Sequence, residues 1–386
     1  MRRSLWILLG AVACAGDGAG PGPNPTPGGK FEIIAGGDNV PARYSSDLWV
    51  HGSYAYTGTW GGAARNGNPG NVVNIWSLDA GGAPSLLDSL TIPGIGTVSD
   101  VQVSDDGTVL VLSGERGPNA GLFVYDLSNP RLPLLLDSAQ VATGIHTATI
   151  AEISGRRYVF AAKNPADPAL LIFDITDPAA IALRSSLPIP PAYGIHDTYV
   201  RDGLAFVFAW NTGVIIYDVG NDIRSGLPEA PVEVSRLLTG NSGLKTGPAV
   251  HNGWWFHNAA TGEKRYLFIG QEGPGAVGSE SSGDIHVVDV ADLAHPAEVA
   301  FFHLSGAGTH NFWMDEERQI LYAAYYNGGV VALDVSGTLS GDLSGRLIAR
   351  IAPGGAGDTY VWGVQLAGGS LYAIDMLSGL WQLKVP

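Results

Sequence analysis

Cysteine, methionine and positive charge are scarce in this chain. Of its 386 residues one is Cys, three are Met and only 21 are Lys or Arg, against 36 Asp and Glu. A lone thiol cannot close an internal disulfide, which excludes a cross-linked scaffold. The formal charge of -15, with no run of basic side chains, excludes the electrostatic footprint that nucleic-acid binding requires. No apolar run approaches the roughly 20 residues of a membrane-spanning helix. There is no Gly-x-Ser-x-Gly elbow, Walker phosphate loop or Cys-x-x-Cys pair, so those routes to hydrolysis, nucleotide chemistry and dithiol redox chemistry are set aside. Charged residues make up only 15% of the chain, whereas Gly (54), Pro (24), Tyr (14) and Trp (10) are plentiful, the balance of many short strands joined by tight turns.

The first residues read differently from the rest. Met1-Arg2-Arg3, the apolar run Leu5 to Ala13 and the small triplet Ala11-Val12-Ala13 have the three regions of a secretory signal, so residues 1–13 are expected to direct export. Ala-Val-Ala-Cys resembles a bacterial lipoprotein box, with Ala11 in place of the usual Leu. The resemblance implies a lipid on Cys14 and a place in the bacterial cell envelope, periplasmic or at the cell surface. A simply secreted protein with an incidental thiol is the alternative. Residues 14–30 are a Gly/Pro-rich tether that holds the following domain away from such an anchor.

From residue 31 onward one supersecondary unit recurs. Its clearest copy is Tyr193 to Asp218, where strand-like runs His196 to Val200, Leu204 to Trp210 and Val214 to Asp218 are separated by the turns Arg201-Asp202-Gly203 and Asn211-Thr212-Gly213. Units of four antiparallel strands at about 45 residues predict an all-β, seven-bladed β-propeller over 31–386. The seventh unit lacks a fourth strand. Phe31 to Ala35 is expected to supply it, closing the ring and removing two exposed sheet edges.

The third strand of each unit ends alike: Ile75 to Asp79, Leu122 to Asp126, Leu170 to Asp174, Val214 to Asp218, Ile285 to Asp289 and Val330 to Asp334, with Lys384 in the seventh. These pentads resemble the LVIVD-repeat family of β-propellers. That likeness implies an exported propeller and is nearly silent about activity. The aspartates themselves are read as turn-formers, since a carboxylate repeated around a ring does not converge on one point and can accept backbone N–H bonds of the turn that follows.

A second slot does converge. His146, His196, His251 and His310 open the innermost strands of four consecutive units, with Ser46, Ser99 and Trp362 at the matching positions of the others. Innermost strands line the channel of a propeller, so the four imidazoles are expected in one ring at one end of it, a candidate site for Zn, Cu, Ni or Fe. Alternation along a strand would turn Asp197, Asn252 and Asn311, which follow three of them, to the opposite face as inter-blade hydrogen-bonding groups. The ring should open onto the face carrying the second-to-third-strand loops, rimmed by Arg65, Asn66, Glu115, Arg116, Lys163, Asn164, Trp210, Asn211, Gln271, Glu272, Tyr325 to Asn327 and Asp375. The leading expectation is a monomeric, surface-anchored scaffold that binds a protein or small molecule on that face. The rival is a metal-dependent hydrolase or oxidoreductase using the same ring, and the residues do not decide whether the protein is an enzyme.

Overall fold

Runs of β-branched and aromatic residues, punctuated by Gly, Asn and Asp, form seven four-stranded antiparallel sheets arranged as the blades of a propeller in the computed structural model, which describes residues 29–78, 83–163, 167–189, 194–240 and 248–386. The innermost strands are Tyr44–His51, Thr97–Val103, Ala148–Ile153, Asp197–Arg201, Val250–Phe256, Phe312–Asp315 and Val361–Ala367. Six blades then run outward strand by strand in sequence order, and in the last, Val361–Ala367, Ser370–Asp375 and Gly379–Lys384 are followed outward by Glu32–Gly36. The fifth carries one addition, the short strand Gly341–Asp342, which pairs in parallel with Ala297–Phe302. The signal segment, Cys14 and the tether up to residue 28 lie outside the described residues, as do Asp79 and Asn164.

Burial follows position in the blade. The second and third strands of the fourth blade, Leu204–Phe208 and Val214–Asp218, are buried throughout, whereas its outer strand Val232–Leu237 is largely solvated. The apolar clusters lie between blades: Phe160 and Ile172 of the third blade share one with Val207 and Ile215 of the fourth. Each blade therefore depends on its neighbour to cover a hydrophobic face.

The expected aspartate turns are present. Asp126, Asp174, Asp218, Asp289 and Asp334 each accept, on Oδ1, the backbone N–H two residues onward at 2.9–3.0 Å. Asp218 also accepts from Asn221 N, Arg224 N and Gly226 N, which folds the longer loop after this strand back onto its carboxylate.

The ring is closed as anticipated: Glu32–Gly36 pairs antiparallel with Gly379–Lys384 as the outer strand of the last blade. Phe31 enters the core at the junction of the last two blades, 6.2 Å from the Tyr322 ring. Gly36, at φ 108°, leaves no room for a side chain, because a Cβ there would meet Leu380 O at 2.3 Å. Deleting residues 31–36 is expected to cost on the order of 3–5 kcal/mol, from lost ladder bonds and burial. Denaturant unfolding checks this, and a truncated domain with wild-type stability would refute the role of the strand in closure.

Candidate functional site

The entry to every innermost strand contains a β-bulge. The pairing register shifts between Ser45 and Leu48, Val98 and Val101, Val250 and Asn252, and Val361 and Gly363. In the other three blades two consecutive residues oppose one: His146 and Thr147 face Ala162, His196 and Asp197 face Phe208, and His310 and Asn311 face Ala324. A bulge breaks strict alternation, so neighbouring side chains reach the same side. The anticipated opposite facing of Asp197 and Asn311 is thereby corrected. Both line one small cavity with the histidines, together with Asp47, Asp100 and Trp362. Their inter-blade bonding still holds in part, since Asn311 Nδ2 donates to Asp47 Oδ1 at 2.9 Å, across the space left by Gly363.

The structure brings His146, His196, His251 and His310 together in a chain of ring contacts with centroids 4.1, 3.8 and 4.2 Å apart. Trp362 continues the chain 4.2 Å from His310, as its matching position implied. His146 Nε2 and His196 Nε2 are 2.8 Å apart. Glu272 lies over the arc, its Oε2 3.7 Å from His196 Nε2 and 3.8 Å from His251 Nε2, and its Oε1 4.0 Å from His310 Nε2. Donor atoms of His196, His251 and Glu272 all fall within 4.8 Å of one another. Glu272 accepts a short hydrogen bond from the Tyr326 hydroxyl.

Protonation divides the four rings. Burial works against an imidazolium at His146, but the Glu115 carboxylate 3.0 Å from its Nδ1 outweighs this and raises its pKa. Glu115, also desolvated, is held below the usual range by the same partner. Burial depresses the other three: His251 falls to about 3, while His196 and His310 fall well below normal, with neighbouring imidazoles adding to the effect. Those three are therefore neutral at pH 7, the form in which imidazole ligates a metal. His310 Nδ1 donates to Trp362 O at 2.6 Å, which leaves its Nε2 with the free lone pair. That nitrogen, His196 Nδ1 and both nitrogens of His251 are buried without a hydrogen-bond partner. Burial raises Glu272 to about 7, opposed by Tyr326 and His146.

Glu115 and Glu272 were placed only on the rim by the sequence. Both turn inward because they sit where second strands end, directly over the histidine slot. Other rim residues do local work: Arg65 donates to Leu377 O at 2.7 Å, and Asn327 Oδ1 accepts from Ser281. On the loop-bearing side the cluster is covered by Glu272, Tyr326 and Trp210 rather than open, and His196, His251 and His310 are 6%, 1% and 2% exposed. The larger axial cavity, about 230 Å³, shares Asp47, Asp100, Asp197 and Asn311 with the histidine pocket. It is walled further along by Trp49, Tyr199, Trp254 and Trp313.

Comparison with known proteins agrees with this architecture. The LVIVD repeat family matches residues 42–63, the entry and first hairpin of the first blade. The β-propeller domain of Cps50 (Swd1) from Myceliophteria thermophila superposes with a TM-score of 0.58 at 11% identity, covering 88% of this chain and 96% of that one. Sqt1 from Chaetomium thermophilum gives 0.59 at 14% identity, covering 91% and 86%. At these identities the likeness is one of fold. No curated protein matches the sequence.

The buried acids beneath the histidines set a pH dependence. Burial, then the neighbouring Asp100, raise the Asp47 pKa well above the ordinary value. A carboxyl raised by folding keeps a proton that the unfolded chain has released, so its contribution is lost as pH rises above about 4. Asp47→Asn is expected to match wild-type stability near pH 4 and to exceed it by about 1–2 kcal/mol at pH 8. Urea unfolding across that range tests this, and a difference that does not grow with pH would count against it.

Proposed function

We propose that this seven-bladed propeller, whose residues 42–63 match the LVIVD repeat family, is an exported, envelope-anchored binding protein holding a divalent transition metal on His196, His251 and Glu272, with His310 beside them. The observation that carries the reading is the position of Glu272. Its oxygens lie 3.7, 3.8 and 4.0 Å from the Nε2 atoms of three neutral imidazoles. The Oε2 distances to His196 and His251 approach the roughly 3.4 Å edge of a tetrahedron built on bonds of about 2.0–2.1 Å, and donor atoms of these three residues lie within 4.8 Å of one another. Two nitrogens and one carboxylate suit Zn, and also Cu, Ni or Fe. The hydrogen bond from His310 Nδ1 to the Trp362 carbonyl leaves its Nε2 free beside the set. His146, engaged by Glu115, is charged, and its Nε2 stands 2.8 Å from His196 Nε2, so a metal on that nitrogen displaces this hydrogen bond.

Burial of His196, His251 and Glu272 beneath Tyr326 and Trp210 closes the site on the loop-bearing side and favours binding over chemistry. A hydrolase or oxidoreductase using the same ring is the second reading, and what favours it is the axial cavity, which adjoins the cluster and offers a path for a small substrate.

Purified protein loaded with Zn and dialysed is expected to retain about one ion per chain. His251→Ala and Glu272→Gln should lose it, and metal should raise the melting temperature of the wild type alone. Wild-type protein that retains no more metal than His251→Ala would overturn both readings. Export and anchoring are tested separately: Cys14→Ser is expected to move the protein from the membrane fraction to the soluble exported fraction, and an unchanged membrane fraction would defeat the lipid anchor.

A further inference from the structure

The residues three positions after the histidine slot form another ring: Trp49, Gln102, Thr149, Tyr199, Trp254, Trp313 and Gln365 all line the axial cavity. Four are aromatic, Tyr199, Trp254 and Trp313 on consecutive blades and Trp49 one blade beyond Gln365. Tyr199 and Trp254 have centroids 5.2 Å apart, Trp254 and Trp313 5.3 Å, and Trp313 and Trp49 6.1 Å, each pair tilted or edge-on. They therefore make an arc of inclined faces around the axis, not a stacked plug. All four remain partly exposed, unlike the rings of the inter-blade core.

The inner end of the same cavity holds Asp47, Asp100 and Asp197, and among the described residues no Lys, Arg or His side chain stands in its wall. The nearest guanidinium on these strands, that of Arg201, is occupied by Glu316 through two bonds of 2.6 and 3.1 Å. Some neutral donors in the wall are also spent. Gln365 is bound both ways to the Val50 backbone, Asn311 Nδ2 is given to Asp47, and Trp254 Nε1 donates to Glu316 at 3.3 Å. The chamber thus offers π faces and carboxyl groups, and among the described residues no cationic side chain to hold an anion.

We propose that this axial cavity is a binding site for a small organic ammonium ion, held by the Trp49, Tyr199, Trp254 and Trp313 arc with its charge towards the Asp47, Asp100 and Asp197 carboxylates. Aromatic faces attract an alkylated ammonium through their quadrupole while accommodating its methyl groups, and the attraction strengthens where water is excluded. The cavity, at about 230 Å³, lies below the roughly 300–1,000 Å³ of drug-sized ligand sites. That size admits a compact ammonium and excludes a peptide or a sugar chain. The site adjoins the histidine cluster, with Asp47, Asp100, Asp197 and Asn311 common to both, but none of its proposed contacts is a metal ligand and its occupancy does not rest on metal binding.

Choline and its uncharged isostere 3,3-dimethylbutan-1-ol are the probes, titrated into the intact protein with tryptophan fluorescence and calorimetry as readouts. Chelator-treated wild type and His251→Ala should both bind choline, which separates this test from that of the metal. Choline is expected to shift the tryptophan emission and to bind at least about tenfold more tightly than the isostere, a difference of about 1.4 kcal/mol. Asp47→Asn, which is expected to fold at least as stably as wild type, should weaken choline binding by about tenfold, and Trp313→Phe by about threefold with an unchanged melting temperature. Equal binding of the two probes, no binding of choline, or full choline affinity in Asp47→Asn would each overturn the proposal.

Discussion

Every blade in this ring is stable only because another blade covers it. The central strands are buried on both faces, and the clusters that bury them are shared across blade boundaries. Such an arrangement has no free end once it is closed, and closure falls to one short segment, Glu32–Gly36, zipped onto the final strand. The N-terminal segment is thus part of the last blade and not an appendage to the first. Closure also has a geometric consequence. Seven inner strands brought around one axis place equivalent residues at one height, so a residue type repeated in the sequence becomes a ring in space.

The bulge at the entry to each inner strand determines what those rings contain. Without it, alternation would present only the histidine slot to the axis and send the following residue between blades. With it, His196 and Asp197 address the same cavity, and so do Ser99 and Asp100, His310 and Asn311. The axis is consequently layered: imidazoles beneath the loop-bearing face, then carboxylates and amides, then aromatic rings.

Burying so many ionisable groups along one axis is costly unless charges are paired or protons redistributed. Both solutions are used. His146 and Glu115 form an ion pair at the edge of the arc, while His196, His251 and His310 give up their charge altogether. Asp197, like Glu272, is pushed up to about 7 by burial, with Asp100 adding to the effect. The result is a set of neutral nitrogen donors next to carboxyl groups that ionise close to neutral pH, an environment in which an entering cation replaces protons as the counter-charge.

Much of this was legible in the sequence because it is periodic. A strand length, a turn and an aspartate that receives the N–H two residues on are local properties, and repetition made them unmistakable from Leu122–Asp126 to Val330–Asp334. The same periodicity aligned His146, His196, His251 and His310 in one slot, so their meeting at the axis followed from the fold. The sequence by itself therefore determined the seven-bladed ring, its closing strand and its histidine arc. Tertiary structure alone decided the direction of individual side chains. A bulge is a property of register between two strands and leaves no mark in composition, so the inward turn of Asp197 and Asn311 could not be read from either strand alone. Glu115 and Glu272 looked like ordinary rim acids because their partners are far away in the chain: Glu272 reaches residues 196, 251 and 310 only once three blades have been brought around a common axis.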